Sequence, residues 1–150
     1  MRILSRTPVR TFIVYPILAL GWEIFVNRGD LNLQPIYSPL MLWGYLQYRI
    51  CGSYRRKRGG GGPGTEIPPE RLVSSGLYAY TRNPMYLGHL IFLTGLTLTL
   101  QSWFAAALTV AVAAWFHVRV LADERNLTAA LGAPYVAYTR NVKRWIPGLF

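Results

Sequence analysis

The chain has 150 residues, 52% of them hydrophobic and 15% charged, with a formal net charge of +10 and a single cysteine. That length suits one domain with a sizeable core, and the lone Cys51 excludes an internal disulfide and a cysteine-ligated zinc. Soluble domains carry roughly a quarter charged residues, so a chain this poor in charge points to a lipid environment.

Taken in order, residues 11–26 form the first apolar span, interrupted only by Glu23 and containing Pro16. Basic residues precede it as in a signal peptide, but the bulky run Trp22-Glu23-Ile24-Phe25 offers no small-residue cleavage pattern, so a retained span is expected. Glu23 lies near the outer end, where it is expected to snorkel without a role. Residues 36–52 form a second, weaker span, with Ser38-Pro39 suited to a helix start. Pro35-Ile36-Tyr37 either extends it or lies at the interface.

Residues 53–83 read as a loop. It holds the basic run Arg55 to Arg58, the glycine-rich stretch GGGGPG (59–64) and the stiff pair Pro68-Pro69. The glycine stretch is expected to be a flexible linker; no Gly-Lys-Ser/Thr follows, which excludes a phosphate-binding P-loop. Residues 72–88, LVSSGLYAYTRNPMYLG, then lead into two further spans, 84–100 and 103–121, almost free of ionised side chains. Both match the roughly 17 to 25 residues that cross a bilayer, and Gln101-Ser102 leaves room only for a tight helical hairpin. Beyond them, residues 122–131 continue as an amphipathic helix until Gly132-Ala133-Pro134 stops it. A short helix over 135–142 leads to Trp145-Ile146-Pro147, which suits a membrane interface.

The expected fold is all-α: a polytopic membrane helical bundle of about four transmembrane helices, plus short cytoplasmic C-terminal helices, in one domain. Fifteen of the sixteen Lys and Arg residues flank the spans on one side, Arg28 alone falling on the other. The positive-inside rule then puts both termini, the 53–83 loop and the 122–150 tail in the cytoplasm. Charge that follows span boundaries in this way argues against nucleic acid as a partner and for anionic membrane lipid, above all at Arg55 to Arg58.

Candidate chemistry gathers at the cytoplasmic end of the last two spans. Asn83-Pro84 starts a helix, whose free N–H groups and positive dipole end favour an oxyanion. Arg82 either adds a bidentate contact to that anion or snorkels to headgroups. Tyr78, Tyr80 and Tyr86 either hold a cationic centre over their ring faces or form an interfacial belt. Asp123 and Glu124 can bind a cationic amine or hydroxyls, or Asp123 can pair with Arg119 one turn earlier. His117 lies seven residues before Glu124 and His89 one turn after Tyr86; each is a candidate base or a hydrogen-bonded structural group. Anion-binding and cation-binding groups converging on one hairpin suit a zwitterionic ligand.

The order Leu72-Val73, Gly76, Tyr78, Arg82-Asn83-Pro84, Tyr86, Gly88, followed by Asp123-Glu124, Leu127, Gly132, Tyr135, Tyr138, Val142 and Trp145-Ile146-Pro147, resembles the integral-membrane methyltransferases. These include the isoprenylcysteine carboxyl and phospholipid methyltransferases. The resemblance implies S-adenosylmethionine as cofactor and a lipophilic acceptor (carboxylate, thiol or lipid amine) entering from the membrane. It further implies that the 72–76 backbone, Arg82, Pro84, Tyr86 and Glu124 contact the cofactor. Asn83 stands where the family commonly has histidine, Glu70 where it often has another, and Asp123 where it has the first of two glutamates. A nicotinamide-dependent sterol-type membrane reductase shares part of the arginine block, and a non-catalytic membrane adaptor is the reading from another class. An adaptor would leave Arg82 and Glu124 as unrelated surface charges.

Overall fold

A computed structural model describes residues 6–60 and 69–146. Among them there are five helices and no strand: α1 (Thr7–Val26), α2 (Ser38–Gly59), α3 (Pro84–Leu100), α4 (Trp103–Leu131) and α5 (Ala133–Asn141). Short 3-10 turns at Pro35–Tyr37 and Gly76–Ala79 precede α2 and α3. The chain divides into two compact units, Met1–Leu46 with Gly88–Ala114 and Gln47–Leu87 with Trp115–Phe150, with the boundaries falling inside α2, α3 and α4.

In the first unit, α1 carries a π-helical turn at Arg10–Val14, closed by the bond from the Tyr15 amide to the Arg10 carbonyl. Pro16 lies just beyond it; proline lacks the N–H for an α-helical bond and crowds the carbonyl four residues back. Ile13, Ile17, Leu20 and Ile24 lie along one stripe of α1, all exposed, with Ile17 at 64%. Exposed aliphatic stripes of this kind suit lipid contact. Glu23 does not simply snorkel, as its position suggested: it accepts the Ser102 hydroxyl at 2.6 Å and the Asn27 side-chain amide at 2.8 Å.

Close backbone approach organises the rest of this unit. A Cβ on Gly44 would stand 2.5 Å from the Phe92 amide nitrogen and 2.6 Å from the Gly88 carbonyl, and one on Gly95 2.8 Å from the Met41 amide nitrogen. Small residues let apolar helices pack backbone to backbone. The predicted tight hairpin is present: α3 ends at Leu100, Gln101 takes φ +50, and Ser102 Oγ accepts the Ala105 amide at 3.1 Å as a helix cap. Phe12 packs against the rings of Tyr45, His89 and Phe92.

In the second unit, α2 runs on through the basic run rather than ending at residue 52. Arg56, Lys57 and Arg58 occupy its last turn, where cations meet the negative end of the helix dipole. At the other end of α2, within the first unit, Ser38 is not a cap with extended backbone; it is helical and follows directly from the Pro35–Tyr37 turn. Gly60 takes φ +69 just past the helix, and the Gly59 carbonyl receives the amides of Glu70 and Arg71. Residues 61–64 of the expected linker, with Pro68 and Pro147, lie outside the described residues. Among the described residues of this unit, Cys51, Val73 and Tyr78 form one apolar cluster, and Tyr135, Tyr138 and Val142 form another. As the sequence suggested, α4 continues to Leu131, Gly132 breaks it at φ +61, and α5 follows.

Among the described residues two helices, Thr7–Val26 and Trp103–Leu131, are long and apolar enough to cross a membrane, and Pro84–Leu100 is apolar over 17 residues.

Candidate functional site

The site residues of the second unit are built around the start of α3. Asn83 sits at the N-cap position, its carbonyl accepting the Leu87 amide at 3.0 Å. Its side-chain nitrogen turns to the C-terminal segment and donates to the Arg144 carbonyl at 3.2 Å. Thr81, 4% exposed, donates its hydroxyl to the same carbonyl at 3.1 Å, and the Arg82 amide donates to the Lys143 carbonyl at 2.9 Å. Residues 143–145 therefore lie as a strap along the segment that opens α3. Pro84 is buried, and its carbonyl receives the Gln47 side-chain amide at 2.9 Å.

Charged side chains meet beside this helix start. Arg82 Nε stands 3.4 Å from Glu124 Oε1, with side chains 11% and 13% exposed. Arg144 donates Nε to both Glu124 oxygens, at 3.1 and 3.2 Å, and Nη2 to Oε2 at 2.9 Å. The hydrogen bonds to Glu124 hold the Arg144 guanidinium above its ordinary pKa. Asp123 and Arg119, for which a pairing one turn apart is one alternative, both bond to Tyr86. Tyr86 donates its hydroxyl to Asp123 Oδ2 at 2.8 Å, and Arg119 Nε donates to the Tyr86 oxygen at 3.0 Å. The two acidic neighbours thus part ways: Asp123, 7% exposed, enters a tyrosine–arginine relay, while Glu124 receives two guanidiniums.

The three flanking tyrosines have different surroundings and do not share one role. Tyr78 is buried in the Cys51 cluster, Tyr80 is 63% exposed, and Tyr86 reaches Asp123. Burial pushes the Tyr78 and Tyr138 phenols well up, and Tyr138 donates to the Tyr78 carbonyl at 2.6 Å. Burial, with Glu124 next in effect, pushes Tyr135 up to about 12. Leu72 packs on the Tyr135 cluster and Val73 in the Cys51 cluster, so that backbone is pinned from two sides. Gly76 takes φ +63, and a Cβ there would meet the Tyr54 ring at 3.3 Å; Tyr54 also hydrogen-bonds Ser75 at 2.8 Å.

Gly88 and His89 belong to the first unit. Gly88 gives its carbonyl to the close approach of Gly44, and His89, 3% exposed, stacks on Phe12 at 4.7 Å. His117 accepts the Trp145 indole N–H on Nδ1 at 3.3 Å. Trp145 is accordingly buried at 8% rather than lying in an interfacial belt. Sequence reasoning missed Arg144, because only the strap brings it to Glu124. The one signal was Arg144 standing beside the Trp145-Ile146-Pro147 block. No group of three His, Cys, Asp or Glu residues suited to a metal occurs among the described residues.

The family of phospholipid methyltransferases matches residues 41–131, well over half of the chain. The chain belongs to the phospholipid methyltransferase family. Its members include membrane enzymes, consistent with the two long apolar helices here. The family match takes in the start of α3, the Arg82–Glu124 pair and the Tyr86–Asp123 relay, and stops short of the strap. The protein-S-isoprenylcysteine O-methyltransferase of the fission yeast Schizosaccharomyces pombe is 33% identical over 78 residues. That alignment covers 51% of this chain and 33% of the yeast enzyme, so the chain matches about a third of that relative's length.

Proposed function

We propose that this phospholipid methyltransferase family member moves a methyl group from S-adenosylmethionine to a lipophilic acceptor at the membrane. The observation that carries the reading is the convergence of Arg82, Arg144 and Glu124 beside the start of α3. A guanidinium pair with a carboxylate at its centre supplies complementary charges for the carboxylate and ammonium of an amino-acid moiety. The same contact disfavours an adaptor, for which Arg82 and Glu124 need not meet. When bound, S-adenosylmethionine supplies a methyl group on a sulfonium, open to in-line attack.

The residues present fit that cofactor. Arg82 and Glu124 would hold its amino-acid end. The 72–76 backbone, pinned by Leu72 and Val73 and turned at Gly76, would face its adenosine, with Tyr78, Asn83, Pro84, Tyr86 and Asp123 shaping the surroundings. Alignment and desolvation are the chain's main contributions to such a displacement. A carboxylate or thiolate acceptor needs no base. A protonated lipid amine needs one, for which His117, in the same unit as the cluster, is the candidate. His117→Ala is then expected to lower activity on an amine and to alter its pH profile; unchanged activity at every pH would remove His117 from that role.

In the membrane the chain is proposed to cross about four times, along α1, α2, α3 and α4, with both termini and the site on the cytoplasmic side. The acceptor would be a lipid or lipidated substrate, such as the isoprenylcysteine named in the yeast relative or a phospholipid. Titration of purified protein with S-adenosylhomocysteine and with NADPH tests the donor. Binding of the former alone is expected; binding of NADPH alone would replace this reading with a reductase. Membranes incubated with radiolabelled methyl donor should yield a labelled lipophilic product.

A further inference from the structure

Arg144 is held at two levels. Its carbonyl is fixed by Thr81 and Asn83, and its side chain reaches both oxygens of Glu124. Arg82 brings Nε to 3.4 Å from the same carboxylate, and that buried nitrogen makes no hydrogen bond among the described residues. Two guanidiniums therefore face one carboxylate, a cluster with one positive charge in excess. Arg144 is the more accessible of the two, its side chain 25% exposed against 11% for Arg82. It also lies outside residues 41–131, which the family match covers.

We propose that Arg144 binds the carboxylate of the methyl donor's amino-acid moiety, by exchanging Glu124 for that carboxylate. Glu124 then passes to the donor's ammonium group while keeping Arg82 beside it. The exchange keeps every charge paired: Arg144 with the donor carboxylate, and Glu124 with the donor ammonium and Arg82. That matters because leaving a partly buried charge without a partner is strongly destabilising. Only the Arg144 side chain has to move, since its backbone is anchored through the carbonyl to Thr81 and Asn83. A ligand without either charge cannot complete the exchange, so the cluster selects a zwitterion. The planar fork of arginine suits a carboxylate in a way the point charge of lysine does not.

The proposal rests on the donor assignment above, and the test separates the two. Full-length wild type, Arg144→Gln and Arg144→Lys are titrated in detergent with S-adenosylhomocysteine and with methylthioadenosine, which keeps the adenosine and thioether but lacks the amino-acid moiety. Arg144→Gln should bind S-adenosylhomocysteine about tenfold more weakly or worse, with methylthioadenosine affinity unchanged. Arg144→Lys should recover part of the loss, and it serves as the reporter if the glutamine variant does not fold. Equal losses for both ligands would show damage to the strap and overturn the proposal, as would unchanged S-adenosylhomocysteine binding. Wild type that binds neither ligand would bring down the donor assignment itself, before any substitution is considered.

Discussion

Gly44 and Glu124 represent two ways of holding helices together. In the unit formed by Met1–Leu46 and Gly88–Ala114, contact is made by leaving side chains out: Gly44 lies against the backbone of Phe92 and Gly88, and Gly95 against that of Met41. In the unit formed by Gln47–Leu87 and Trp115–Phe150, contact is made by directional bonds among Arg82, Tyr86, Arg119, Asp123, Glu124 and Arg144. Dispersion between close backbones has no alternative partner to offer a ligand. Ion pairs do, because each charge can be passed to an incoming group of the same sign as its partner. The first arrangement suits a scaffold and the second a binding site.

Substitutions can break that contrast in order of expected effect. Gly44→Ala should be the most damaging, because its Cβ would meet backbone at 2.5 Å; overpacking on this scale costs about 3 kcal/mol. Thermal unfolding in detergent measures it, with Gly21→Ala as the control, since nothing lies within 4 Å of a Cβ there. Equal melting temperatures for the two variants would remove the scaffold reading of the first unit.

Glu124→Gln should leave the first unit intact and act on binding, lowering S-adenosylhomocysteine affinity by about tenfold to a hundredfold as the charge facing an ammonium is lost. Calorimetry reads this directly, and an unchanged affinity would remove Glu124 from the site. Tyr86→Phe takes one donor from the buried Asp123 and the acceptor from Arg119, at a cost of about 1–2 kcal/mol. Its melting temperature should fall by less than that of Gly44→Ala.

The smallest effect concerns the tyrosine cluster at alkaline pH. Below the ordinary phenol value of about 10, Tyr135 is neutral folded or unfolded. Above it the unfolded phenol loses its proton while the folded one keeps it up to about 12. The folded state then binds more protons, so stability falls as pH rises through that window. Urea melts between pH 9 and pH 12 should show the decline, and Tyr135→Phe should reduce its slope.

Much of the architecture was legible because its causes are local. Apolar runs without charge marked α3 and α4, Asn83-Pro84 marked a helix start, and Gly132-Ala133-Pro134 marked a stop. Where a local signal competes with a remote one, the sequence pattern alone is not decisive. The basic residues after position 52 looked like a loop but complete α2, since cations are favourable at a helix C-terminus. Glu23 looked idle because its partner, Ser102, is remote in sequence.

The sequence by itself determined the family, the helical class and the residues able to carry charge to one end of a hairpin. Those properties follow from short-range pattern, in which neighbours in the chain decide backbone conformation and hydrophobicity. Only the tertiary structure decided that Asp123 goes to Tyr86 while Glu124 takes Arg82 and Arg144. Choosing an ion-pair partner depends on distance and desolvation in three dimensions, and the strap that delivers Arg144 to Glu124 is fixed by backbone carbonyls, which every residue carries and no side-chain pattern reveals.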